Sequence, residues 1–195
     1  MAAQTDTRQH ILGTSREVIL GKGFSAVGLS ELLSVAGVPK GSFYHYFKSK
    51  ENFGEALLED YFDNYLKRLD DILKPDGRTA ADRLMHFWSL WTDSQSACEF
   101  GARCLVVKLG AEVSDLSEPM RAVLREGTER IVARLAQCLM EGMRDGSLPD
   151  DLKPVQAALG LYDLWLGATL MTKLRHDSHA FKNAHIVTRQ LLNLD

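Results

Sequence analysis

Cysteine, proline and long apolar runs are all scarce in this 195-residue chain, and each scarcity excludes something. Three cysteines, at separations of six and thirty-four, make no disulfide framework and fit a reducing compartment. Fifteen glycines and five prolines are too few for a fibrous or disordered protein. No uninterrupted apolar run approaches the roughly 18 residues that a membrane-spanning helix needs. The N-terminus, MAAQTDTRQH, has no apolar core of a secretory signal, so a cytoplasmic protein with no membrane partner is expected. Convincing apolar–polar alternation is missing too, which leaves helices.

What is present is an ordinary globular mixture, 45% hydrophobic and 25% charged. Charge is unevenly placed. Residues 1–50 hold six Lys/Arg against three Asp/Glu, whereas the other 145 hold seventeen against twenty-three. A basic head on an acidic body suggests a local polyanion site rather than a surface coated in nucleic acid.

The spacing predicts an all-α chain of about nine helices, divided into a head (1–50) and a second domain (51–195). Asp6 and Gln9 form a capping-box pattern opening the first helix, with Ile11, Leu12, Ser15, Val18 and Ile19 on one face. Gly28 to Ala36 forms the second helix, stopped by Gly37. Pro39 then opens a third over Lys40–Phe47, anchored by Phe43 and Phe47 four residues apart. A long helix follows from Lys50 to about Leu73, with Leu57, Tyr61, Tyr65, Leu69 and Leu73 on one face and Lys74-Pro75-Asp76-Gly77 ending it. The next is expected from Thr79 to Ala97. The run from Cys104 to Val113 is read as a short buried helix, because a lone strand has nothing to pair with. Ser117 caps the helix that ends at Asp145-Gly146, and two more occupy Val155 to about Lys173 and Ser178 to Leu194.

A short helix bearing small, aromatic and basic side chains after an apolar one is the make-up of a helix-turn-helix. The pattern from Gly23 to Glu51, with its core AGVPKGSFYHYFKSKE, resembles the DNA-binding domain of the TetR family of repressors. One departure is Gly28, where the family often carries a Thr capping the second helix. The segments CLVVKLGAEVSDLSEPMR (104–121) and LYDLWLGATLMTK (161–173) are similar to those of its electrophile-responsive, NemR-type branch, and the AcuR type looks related. The resemblance implies a homodimer whose first three helices bind double-stranded operator DNA. The rest would hold a small-molecule or electrophile effector and the pairing surface.

On that resemblance Lys40, Gly41, Ser42, Tyr44, His45, Tyr46, Lys48 and Lys50 correspond to positions that meet DNA. Ammonium and hydroxyl groups suit phosphate oxygens, and His45 and Lys40 are candidates for base edges. The plainer alternative makes the tyrosines part of the core and the lysines merely solvated. Cys104 sits at an expected helix start, beside Arg103 and one turn before Lys108, where a thiolate is favoured and open to alkylation or oxidation. Its alternative is a small buried hydrophobe. Lys173 matches a lysine of the NemR-type branch; it also suits a helix C-terminus. Phe87, Trp88, Trp91, Phe100, Tyr162 and Trp165 either line an effector pocket or fill the core.

Gly160, Leu164, Gly167, Ala168 and Met171 make one face with small residues, and Ala184, Val187, Leu191 and Leu194 another. Paired across a two-fold axis they would build a four-helix interface; packing within one subunit is the alternative. His176, Asp177, His179 and His185 lack any closed four-ligand spacing, so no metal and no cofactor is expected. An all-helical enzyme is the rival class. No nucleophile elbow, metal triad or paired carboxylates support it.

Overall fold

A computed structural model of the chain describes residues 2–93 and 104–194. Among them are nine helices and no strand: α1 (Ala2–Lys22), α2 (Leu29–Ala36), α3 (Lys40–Tyr46), α4 (Lys50–Leu73), α5 (Ala80–Thr92), α6 (Leu105–Leu116), α7 (Glu118–Asp145), α8 (Pro154–Arg175) and α9 (His179–Leu191). No helix among the described residues is long and apolar enough to cross a membrane. The expected continuation of α5 to Ala97, together with Cys98, Phe100 and Arg103, lies outside the described residues. By packing, the chain divides into two compact units, Met1–Asp63 with Lys108–Gly127 and Asn64–Val107 with Thr128–Asp195. The boundary expected from the sequence, at residue 50, falls where α4 begins.

In the first unit the α1 face read from the sequence is buried at Ile11, Leu12, Ser15 and Ile19. The capping-box reading needs correction, however: α1 begins at Ala2, so Asp6 falls inside it. The local Asp–x–x–Gln signal is real but cannot stop a helix whose upstream residues, Ala and Gln among them, are themselves good helix formers. Gly28 takes the extended N-cap position of α2, and Gly37 closes it at φ 63°, a left-handed value glycine reaches freely. Pro39 is the N-cap of α3, which starts at Lys40 as expected and ends at Tyr46, with Phe47 as its C-cap. Phe43, Phe47 and Phe53 bury completely or nearly so and meet pairwise in tilted and edge-on contacts, with ring centroids 5.2–5.6 Å apart. That triangle fixes α3 onto the start of α4. At the other side of the unit α7 crosses α4 so closely that a Cβ at Gly127 would collide with the Phe62 ring.

The second unit is built around tryptophan. Trp88 and Trp165 stack with planes 8° apart and centroids 4.8 Å apart, and Trp91 leans on both. Trp91 donates its Nε1 hydrogen to Thr169 Oγ1 (2.8 Å) and Trp165 to Thr188 Oγ1 (3.0 Å). Each threonine passes a hydrogen bond on to a carbonyl one turn back. Arg83, buried at its side chain, donates to the Leu73 carbonyl at the end of α4 and to Glu141 Oε2 (2.9 Å) on α7. Asp145 and Ser147 accept from the first amides of α5, whose own cap is Thr79.

Candidate nucleic-acid interface and effector site

Two buried phenylalanines four residues apart, Phe43 and Phe47, decide which way α3 faces. The opposite side is left to Lys40, Gly41, Tyr44 and His45, all exposed, with Ser42 and Tyr46 half-buried and Lys48 exposed just beyond. Tyr44 is 46% exposed, and the Lys40 ammonium lies 5.8 Å from its ring centroid. A Cβ at Gly41 would meet no atom within 4 Å, so its backbone is bare on that side. Six of the eight residues nominated for DNA therefore share one surface of a seven-residue helix, and Lys48 continues it.

Lys50 does not. Its Nζ donates to the Phe24 carbonyl at 2.7 Å and lies 4.5 Å from the Phe24 ring centroid. Partial burial lowers its pKa, with Glu112 pulling the other way. It is bound into the unit at the turn between α1 and α2.

That turn holds the residues sequence reasoning missed. Glu112 on α6 accepts from the amides of Ser25 (2.6 Å) and Phe24 (3.1 Å), and Lys108 donates to the Gly21 carbonyl at 3.2 Å. Burial alone would raise the Glu112 carboxyl. The Ser25 amide and side chain, the Phe24 amide and the Lys108 ammonium outweigh it and hold the pKa below the ordinary value. The sequence reading gave Lys108 to Cys104; its ammonium serves the turn instead. His10 was missed as well, donating from Nε2 to the Ala36 carbonyl (2.9 Å) and so tying α1 to the end of α2.

In the second unit Cys104 immediately precedes α6 and is only 1% exposed. It lies close enough to Tyr65 and Tyr162 for its thiolate to push both phenols further up, although burial is the main cause in each. Both phenols stay neutral. Cys138 is buried too, and desolvation pushes its thiol up to about 11, which disfavours the thiolate. Lys173 is exposed near the end of α8. Trp88, Trp91, Tyr162 and Trp165 are all buried, and Tyr162 also borders a cavity of about 350 Å³ between α7 and α8 lined by Val132, Ala136, Val155, Leu159 and Leu166.

The residues nominated for pairing split. Gly160, Gly167 and Leu191 are exposed, Leu164 and Val187 half-buried, and Ala168 and Ala184 are covered inside the subunit by the α8–α9 contact. Around them Leu159, Leu170 and Leu174 on α8 and Ile186 on α9 stand exposed. No group of three or more His, Cys, Asp or Glu able to hold a metal occurs among the described residues.

Comparison with known proteins meets this geometry at both ends of the chain. Residues 11–57 match the signature of "Bacterial regulatory proteins, tetR family", and residues 80–187 that of "Tetracyclin repressor-like, C-terminal domain". The HTH-type transcriptional repressor NemR of Escherichia coli (strain K12) is 42% identical over 181 residues, 92% of this chain and 90% of NemR. The chain belongs to the TetR family. Within that family it is also 39% identical to the transcriptional regulator AcuR of Cereibacter sphaeroides over 188 residues, 93% of this chain and 85% of AcuR. The crystal structure of the reduced form of E. coli NemR superposes with a TM-score of 0.88 at 42% identity, covering 95% of this chain and 96% of that one. TetR-family membership makes this chain a DNA-binding transcriptional regulator and not an enzyme.

Proposed function

We propose that the chain represses transcription in the cytoplasm by holding operator DNA with two copies of α3, and lets go when an electrophile or other small effector acts in the second unit. The observation that carries this reading is the surface of α3, where Lys40, Gly41, Tyr44 and His45 are exposed and Ser42 and Tyr46 half-exposed behind two phenylalanine anchors. Phosphates would be met by Lys40, Lys48 and the tyrosine hydroxyls, and base edges by His45 with Lys40. Lys50 acts one step back, fastening the turn before α2. Two such helices in a dimer need to lie roughly 34–36 Å apart, one turn of B-DNA.

Pairing is assigned to α8 and α9. A helix that is apolar on all sides has to be covered on all sides, and α8 buries Ala158, Leu161 and Trp165 while exposing Leu159, Leu170 and Leu174. Gly160 and Gly167 would meet nothing within 4 Å as alanines, which leaves room for a partner helix to approach. Release is assigned to Cys104, supported by its place immediately before α6 and its nearness to the buried Tyr65 and Tyr162. Trp88, Trp91, Tyr162 and Trp165 would form the wall around it, and the NemR-like reading adds Lys173, exposed three turns beyond Tyr162 on α8, as a cation.

The test is binding to the DNA upstream of the protein's own gene, across a range of salt, with and without a panel of thiol-reactive compounds. The wild type should bind, lose affinity steeply as salt rises, and release on treatment. Binding that ignores salt would remove α3 from the account.

A further inference from the structure

Glu112 and Lys108 stand four residues apart on α6, on one face, and grip the turn between α1 and α2 at both ends. Lys108 holds the Gly21 carbonyl, where α1 finishes. Glu112 takes the two amides that follow Gly23, a residue held at φ 95°, with one carboxylate oxygen on each. A Cβ on Gly23 would sit 3.0 Å from the Glu112 carboxylate, so the turn is drawn as close as a glycine permits. From below, Lys50 holds the Phe24 carbonyl, and Phe24 is wedged against Gly54 at the start of α4. The turn leads straight into α2 and α3. Its backbone groups would otherwise be satisfied by water, and nothing in helix formation alone demands a carboxylate from a residue 87 positions away. α6 itself starts at Leu105, the residue after Cys104.

We propose that Glu112 is a positioning residue for DNA binding: through the α1–α2 turn it sets the pose of the α2–α3 pair. Lys108 secures the other end of the same turn. The proposal rests on the DNA-binding reading of α3 but not on Cys104 being the trigger. Charge-assisted bonds to two neighbouring amides fix the turn more tightly than neutral ones would. Lys50 and Lys108 are the charged groups facing the carboxylate, and both favour its ionised form.

The experiment compares the full-length wild type, Glu112→Ala and Glu112→Gln against a duplex selected from random sequence on the wild type. Affinity, its salt dependence, amide hydrogen exchange and the melting temperature are all read. Glu112→Ala should bind about tenfold more weakly, with the same slope of affinity against salt, because no phosphate contact is removed. Exchange should quicken at Phe24 and Ser25 while the cores of α1, α4 and α7 stay protected. Glu112→Gln keeps one accepting oxygen but turns an NH2 donor toward the second backbone N–H, and should bind between the wild type and Glu112→Ala. Wild-type affinity in Glu112→Ala, with exchange raised at Phe24 and Ser25, would overturn the proposal: the contact would exist without setting α3. Faster exchange throughout the unit with a fall in melting temperature would overturn it too, reducing Glu112 to a general brace. Failure to select any duplex on the wild type would instead sink the DNA-binding reading beneath it.

Discussion

At the residue scale, the two kinds of DNA contact expected of α3 separate by measurement. Lys48→Ala should weaken binding about equally for every sequence and lower the salt slope by about 1, as removal of a phosphate contact does. His45→Ala should instead relax the preference among bases, at about 1–3 kcal/mol for the right site, with little change in that slope. Competition binding on selected and scrambled duplexes distinguishes them, and equal behaviour of the two variants would contradict the assignment. For the thiols, Cys104→Ser should blunt release by electrophiles, while Cys138→Ser should respond like the wild type because a thiol with a pKa of about 11 is almost wholly protonated at neutral pH. Mass spectrometry of the treated protein would show the adduct. An adduct on Cys138 ahead of Cys104 would rule out the trigger as assigned. The α3 surface was legible in the sequence because its anchors and exposed residues are all local. For Cys104 the sequence left two readings open, a reactive thiolate and a small buried hydrophobe, and the thiol is in fact buried, near tyrosines 39 and 58 residues away that no local pattern discloses.

At the element scale, the helices that the sequence disclosed best are those with a broad apolar stripe. Every residue named for the α4 face, from Leu57 through Leu73, is buried. What periodicity does not carry is how closely two helices cross. Gly127 sits in the middle of α7 with no local reason to be glycine; the reason is Phe62 on α4. Gly127→Ala should therefore destabilise the protein by about 1–3 kcal/mol despite its better helix propensity, and a rise in the unfolding midpoint would refute the close crossing. The hold of α6 on the α1–α2 turn was equally hidden, since it joins residues 87 and 88 apart by charge and backbone rather than by any pattern. It has a pH signature. The lowered Glu112 pKa means that its contribution to stability is complete above the ordinary carboxylate value of 4.5 and is lost as pH falls through the lower folded value. Glu112→Gln should flatten that part of the acid limb in a stability-versus-pH curve; an unchanged limb would show that other carboxylates govern it.

At the scale of the whole molecule, the pairing surface is the feature to challenge. Gly167→Ala should stabilise α8 by about 0.5–1 kcal/mol if nothing approaches it, because alanine is the better helix former. If a partner helix lies there, the same change should weaken the dimer, and sedimentation across a dilution series reads the difference directly. Leu170→Glu offers a harsher version, expected to yield monomers that no longer hold operator DNA. The sequence disclosed α8 as a face with small residues. It did not separate Ala168, which the subunit itself covers, from Gly160 and Gly167, which it leaves bare, because that depends on where α9 returns. A surplus of bare leucine on one long helix also has a consequence inside a cell. If α8 pairs as proposed, single chains would seldom circulate alone, so a copy with a ruined α3 would capture a sound one and disable it. With equal amounts of both and random pairing, only about one dimer in four keeps two working heads, and a strain carrying both copies should behave much as if the repressor were missing.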